Sequence, residues 1–139
     1  MRYQMNTDGG ARGNPGPSGI GIVIKNEKKE KIFELGSYIG KATNNQAEYT
    51  ALIEGLKTAL EKNITKLDCF LDSELIVKQM RREYKVKDAE LKILWQKASG
   101  LASKFEEIEF KHVLREKNHD ADLLVNKALD AYQYSPRGH

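Results

Sequence analysis

Four acidic residues stand where a folded chain has reason to avoid them, each beside a different kind of local structure. Asp8 ends an extended run, Glu48 falls on the apolar stripe of a helix, Asp72 closes an apolar strand, and Asp122 lies at the start of the last helix. A carboxylate drawn toward a core needs a partner, because an unpaired buried charge is expensive. Too few basic residues lie beside these four to pair them, and one shared divalent cation would serve all of them. Ligands that are all oxygen select a hard ion, magnesium or manganese, over zinc. His112, His119 and His139 show no metal-ligand spacing. Paired magnesium ions about 3.5–4 Å apart are a common device for cutting phosphodiesters, so the acids point toward metal-assisted hydrolysis.

The elements that must carry these acids can be read from periodicity. Residues 2–8 form a strand running into a glycine-rich turn, Gly9 to Gly19. Residues 20–25 and 31–39 are two more strands, joined by the charged loop 26–30, so three successive strands are antiparallel. From Thr43 to Lys62 the period changes, with Leu52, Leu56, Ala59 and Leu60 at helical spacing and Glu48 on the same stripe. Residues 65–71 read as a covered strand, 73–82 and 88–104 as helices, 106–114 as the fifth strand, and 118–134 as the final helix. The order β-β-β-α-β-α-α-β-α predicts an α/β fold: a five-stranded mixed sheet, three antiparallel strands and then parallel additions, with helices on both faces. Ligands of such sheets bind beyond the carboxyl ends of the parallel strands, the edge to which this topology brings the four acids.

Composition sets the frame. At 139 residues, 40% hydrophobic and 31% charged, the chain reads as one soluble globular domain. It has no apolar run of membrane-spanning length. Met1-Arg2-Tyr3-Gln4 lacks the apolar stretch of a signal peptide, and the single cysteine, Cys69, forms no internal disulfide; both fit a cytoplasmic setting. Cys69 reads as a small core residue. The net charge of +3 is compatible with a polyanionic partner, and the basic groups Arg81, Arg82, Lys85, Lys87 and Lys111, Arg115, Lys117 also read as solvated faces.

Each acid and its neighbours also has a plainer reading. Asp8-Gly9 is a turn dipeptide. Thr43 with Gln46 is a capping box, Asp72 with Ser73 can cap a helix, and Asp122 is a first-turn acid favoured by the helix dipole. Capping explains neither Glu48 nor the adjacent Asn44 and Asn45. The glycines from Gly9 to Gly19 suit a loop whose backbone approaches a bulky ligand, but no lysine followed by Ser or Thr makes it a phosphate loop.

Four blocks carry a resemblance: TDGGARGNPGPSG at 7–19, TNNQAEYTAL at 43–52, LDSEL at 71–75 and REKNHDADLLVN at 115–126. Together and in this order they resemble type 1 ribonuclease H over nearly the whole chain. The resemblance implies a ribonuclease H domain over 1–134 with a disordered tail at 135–139. It implies cleavage of the RNA strand of RNA–DNA hybrids by two Mg2+ ions (Mn2+ as a substitute), leaving a 5′-phosphate and a 3′-hydroxyl. By motif match the metal ligands are Asp8, Glu48, Asp72 and Asp122. Substrate contacts fall on Gly10, Asn14, Thr43, Asn44, Asn45, Gln46, Ser73 and Asn118. Amide side chains both donate and accept, which suits a 2′-hydroxyl; Thr43 matches a position that holds a phosphate of the DNA strand. A monomer with no obligatory protein partner and no membrane is expected.

Two departures matter. Many members have a catalytic histidine on the loop before the last acid; here that loop, 113–118, is shorter, and Arg115 is the better match, with His119 as the alternative. The long basic handle of well-known bacterial members is reduced to Arg81, Arg82, Lys85 and Lys87, which predicts few phosphate contacts and a shallow salt dependence of binding. Trp95 reads as a packing residue. A non-catalytic hybrid-binding domain, a metal nuclease acting on duplex RNA, and a generic α/β binding domain remain as competing readings.

Overall fold

Alternating apolar residues and β-branched runs build the first half of the protein into a long meander. In the computed structural model, which describes residues 1–134, β1 (Tyr3–Ala11), β2 (Gly16–Lys25) and β3 (Lys31–Ala42) pair antiparallel. α1 (Asn44–Glu61), β4 (Lys66–Leu71), α2 (Glu74–Met80), α3 (Ala89–Ala102), β5 (Glu107–His112), a 3-10 turn (Arg115–Asn118) and α4 (His119–Tyr134) follow. The sheet order is β3-β2-β1-β4-β5, with β4 parallel to β1 and β5 parallel to β4. This is the mixed sheet expected from the element order. The tail expected at 135–139 lies outside the described residues.

Successive residues of a strand point to opposite faces, and the two glycines after Asp8 report what covers each. A Cβ on Gly9 would run into the Ala47 carbonyl of α1, whereas one on Gly10 would meet Val125 of α4. The two helices therefore cover opposite faces. The main core lies on the α1 side, where Met5, Ile20, Ile22, Ile24, Leu67 and Leu71 meet Tyr49, Leu52 and Leu56. Cys69 is buried among them, as read from the sequence. Trp95 packs there too, and its indole donates to the Gln79 carbonyl at 3.0 Å.

The glycine-rich segment corrects the sequence reading. It is not a loop from Gly9 to Gly19: β1 and β2 stay paired as far as Ala11 and Ser18, and only residues 12–15 turn. A run of glycine looks like a breaker when the neighbouring chain is unknown. Here Gly9 makes room for α1, and the space a Cβ on Gly16 would need is taken by the Arg12 carbonyl. β3 likewise runs three residues past its expected end, through a register shift opposite Ser18/Gly19 and Gly40 at φ 87. The final helix starts at His119, with Arg115–Asn118 wound as 3-10 turn ahead of it.

Candidate active site

Each of the four acids arrives on a different element. Asp8 lies on β1 opposite Gly21 of β2, and Asp72 is the first residue beyond β4. Glu48 heads the buried stripe of α1 with Leu52 and Leu56, and Asp122 sits in the first turn of α4. The close seat of α1 on Gly9 lets the Gly9 N–H donate to Glu48 Oε1 at 3.3 Å. On the other face, the Ala121 carbonyl occupies the space a side chain at Gly21 would need. The last helix thus comes down directly over Asp8, with Asp122 as its next residue. One ligand oxygen from each of Asp8, Glu48 and Asp72 lies within 4.8 Å of the others.

Close burial sets the electrostatics of this group. Asp8 is 4% and Glu48 7% exposed. Burial, only partly opposed by the hydrogen bond with Glu48 and reinforced by the charges of Asp72 and Asp122, pushes Asp8 from 3.8 up to about 7. Burial and then the charge of Asp8 push Glu48 well above the usual carboxylate range. Asp72 is raised by burial, against the pull of Arg115 and Asn118. Glu48 Oε2 is buried with no hydrogen-bond partner among the described residues. An orphaned buried oxygen among crowded carboxylates is what a hard divalent cation would satisfy, so the donor set fits magnesium or manganese.

A pH dependence follows. The folded, metal-free protein holds a proton at Asp8 that the unfolded chain releases near 3.8. The stability tied to that proton is full below about pH 4 and is lost as pH rises to about 7. Asp8→Asn is neutral throughout. Its melting temperature should pull ahead of the wild type between pH 4 and 7 and hold a constant lead above. Thermal melts in chelator across that range measure the gap, and added Mg2+ should close it from the wild-type side.

The acids open into a cleft of about 460 Å³ lined also by Gly10, Arg12, Asn44, Asn45, Ser73, Arg115 and Asn126. Arg115 is largely exposed, with Nη2 3.9 Å from Asp122 Oδ1. His119 faces a different groove, with Lys29 and Asp120. Asn44 and Asn14 clasp the hairpin tip to the start of α1: Ala11 N–H donates to Asn44 Oδ1 at 2.9 Å and Asn44 N–H donates to Asn14 Oδ1 at 3.0 Å. Both oxygens accept bonds from within the protein. Thr43 and Gln46 form the capping box in full, and Gln46 Nε2 donates to Glu90 at 2.7 Å, so Gln46 stays outside the cleft lining. Ser73 lines the cleft while capping α2.

Asn118, expected as a substrate contact, is held inside the protein. It is 1% exposed, accepts from Asn6 Nδ2 at 2.9 Å and donates to the Thr7 carbonyl at 2.9 Å. It pins the 3-10 turn to β1 beside Asp8. Sequence reasoning missed Arg12 and Asn126. Asn126 was findable, since it lies four residues after Asp122 on the same helix face and donates back to the Asp122 carbonyl at 3.1 Å. Arg12 was not, because its place depends on the hairpin meeting α4. Of the basic residues at 81–87, Arg81 donates to the Phe110 carbonyl at 2.7 Å and Arg82 lies over the Trp95 ring.

Known proteins resemble this chain in sequence and fold. The family described as reverse transcriptase-like matches residues 6–128. The bifunctional protein Rv2228c of Mycobacterium tuberculosis is 42% identical over 132 residues, 94% of this chain but 36% of its own length. Ribonuclease HI of Halobacterium salinarum is 39% identical over 123 residues, 88% of this chain and 62% of its own. The chain thus spans about a third of the mycobacterial relative. Among solved structures, LC11-RNase H1 in complex with RNA/DNA hybrid superposes with a TM-score of 0.89 at 44% identity, covering 94% of this chain and 99% of that one. With its sheet order, its gathered acids and these relatives taken together, the chain belongs to the ribonuclease H family.

Proposed function

We propose that this protein is an endoribonuclease that cleaves the RNA strand of RNA–DNA hybrids with divalent metal ions. The observation that carries the reading is the convergence of Asp8, Glu48 and Asp72 within 4.8 Å, with the Glu48 oxygen left unsatisfied. The bound hybrid in the related LC11-RNase H1 structure supports the substrate class. Asp8, Glu48, Asp72 and Asp122 would hold two Mg2+ ions, or Mn2+, which supply an activated water and charge stabilisation at the phosphate. Products with a 5′-phosphate and a 3′-hydroxyl belong to this reading.

The protein's own groups do the rest. Crowding keeps the acids costly in the absence of a cation, so they favour the metal-loaded form. Asn44 and Asn45 present amides to the cleft, able to meet a 2′-hydroxyl. Arg115 stands at the rim beside Asp122, where its charge can meet negative charge growing on the leaving oxygen; it cannot shuttle a proton. We place the domain at 1–134 and assign it a cytoplasmic, monomeric role. No helix of the described residues is long and apolar enough to cross a membrane.

Labelled RNA–DNA hybrid, duplex RNA and duplex DNA, each with Mg2+ and with a chelator, test the assignment. Cutting of the RNA in hybrid alone, abolished by chelation, is the expected outcome; equal cutting of duplex RNA would reassign the substrate. Arg115→Ala should lower kcat by about a hundredfold with little change in KM. Lysine should rescue poorly, lacking the planar fork of donors. His119→Ala should leave turnover near normal, and a crippled His119→Ala enzyme would transfer the role to that imidazole.

A further inference from the structure

Among the described residues two cations line the acid cleft, Arg115 and Arg12. They stand at different points along α4. Arg115 approaches Asp122, whereas Arg12 reaches Asp130 Oδ1 through Nη2 at 2.7 Å and Gln133 Oε1 through Nη1 at 2.8 Å. Asp122 and Asp130 are eight residues apart, about 12 Å at 1.5 Å per residue. A nucleic-acid strand rising about 3.4 Å per nucleotide covers that distance in three or four steps.

The backbone under Arg12 is fixed. Its N–H donates to the Pro17 carbonyl at 2.8 Å, its own carbonyl seats against Gly16, and Gly13 turns at φ 95. The same hairpin tip carries Asn14, clasped to the helix that bears Asn44 and Asn45. The guanidinium has five N–H donors; Asp130 and Gln133 take two, and the side chain is still 38% exposed. An exposed ion pair such as Arg12–Asp130 adds little stability, so the arrangement is better suited to aiming the fork than to holding the fold.

We propose that Arg12 is a substrate-phosphate contact, oriented by Asp130 and Gln133, which grips the hybrid a few nucleotides from the bond that is cut. The proposal rests on the hybrid-cleaving reading above and adds a residue to which no motif match assigned a role. Because part of the fork remains free, a phosphate oxygen can be bound without breaking the pair to Asp130.

Binding of a labelled hybrid in Mg2+ by protein already carrying Asp8→Asn, across a salt series, separates the possibilities. Arg12→Ala should weaken binding about tenfold, the loss of one charge-assisted hydrogen bond. It should also lower the slope of log affinity against log salt by about one. Arg12→Lys should keep the slope, since the charge remains, while losing part of the affinity. Asp130→Asn should leave binding unchanged or tighter. The proposal is overturned if Asp130→Asn reproduces the Arg12→Ala loss with both slopes intact, which would make the pair a structural latch, or if Arg12→Ala binds like its parent. A parent that binds hybrid no better than duplex DNA would overturn the hybrid reading itself, whatever the Arg12 variants do.

Discussion

Asp8→Asn and Asp72→Asn should each lower hybrid cleavage by a factor on the order of 10³ or more, with the fold intact. Both residues contribute to the one place among the described residues where three ligand oxygens come within 4.8 Å. An amide in either position weakens the hold on the cation and so removes charge stabilisation from the reacting phosphate. Stability should move the other way. Asp8 is raised by burial and by its acidic neighbours, so a neutral isostere relieves a penalty that the wild type bears near neutral pH without metal. Purified variants need both a cleavage assay and a melt. Near-normal cleavage by either, in protein free of wild-type contamination, would defeat the metal assignment, and a large fall in melting temperature would show that the carboxylate has a packing role.

The second large effect belongs to a residue with no side chain. Gly21 lies opposite Asp8 in the β1–β2 ladder, and the Ala121 carbonyl of α4 fills the place of its missing Cβ. Gly36 on β3 faces the Leu124 carbonyl in the same way. Gly21→Ala must therefore lift α4 or bend the sheet, at about 2–3 kcal/mol for overpacking. That corresponds to a melting temperature lower by roughly 5–10 °C for a chain of this size. The same lift withdraws Asp122 from Asp8, and a displacement near 1 Å can reduce turnover about a hundredfold. Cleavage assayed well below the variant's melting transition separates this from unfolding. Gly100→Ala is the control: a Cβ there meets nothing within 4 Å, and alanine in a helix should stabilise by about 0.5–1 kcal/mol. If Gly21→Ala proved as benign as Gly100→Ala, the close seating of α4 would not be what positions the fourth acid.

How far these conclusions could be read from the chain depended on whether the governing contact was local. Element order, the stripe carrying Glu48 and the capping by Thr43, Gln46 and Ser73 are properties of short windows, and all appear as expected. The glycines at 9–19 misled because a glycine that breaks a strand and one that admits a neighbouring helix look alike until the helix is placed. Asn118 is expected as a substrate contact by motif match alone, which carries no information on its burial. Its burial comes from Asn6 and Thr7, more than a hundred residues earlier in the chain. Arg12 was silent for the same reason, since Asp130 and Gln133 lie on the last helix.

The placement of Asp122 on that helix also bears on refolding. Bringing Asp122 to Asp8 closes a loop of more than a hundred residues, among the longest-range contacts in the molecule, and such contacts form late because their closure entropy must be met first. Trp95 belongs to the α1 side of the sheet, and its fluorescence reports on that half alone. Cleavage, on the reading proposed above, requires the opposite face to be capped as well. Recovered activity is therefore a clock for the docking of α4, whereas recovered tryptophan emission times the core beneath α1.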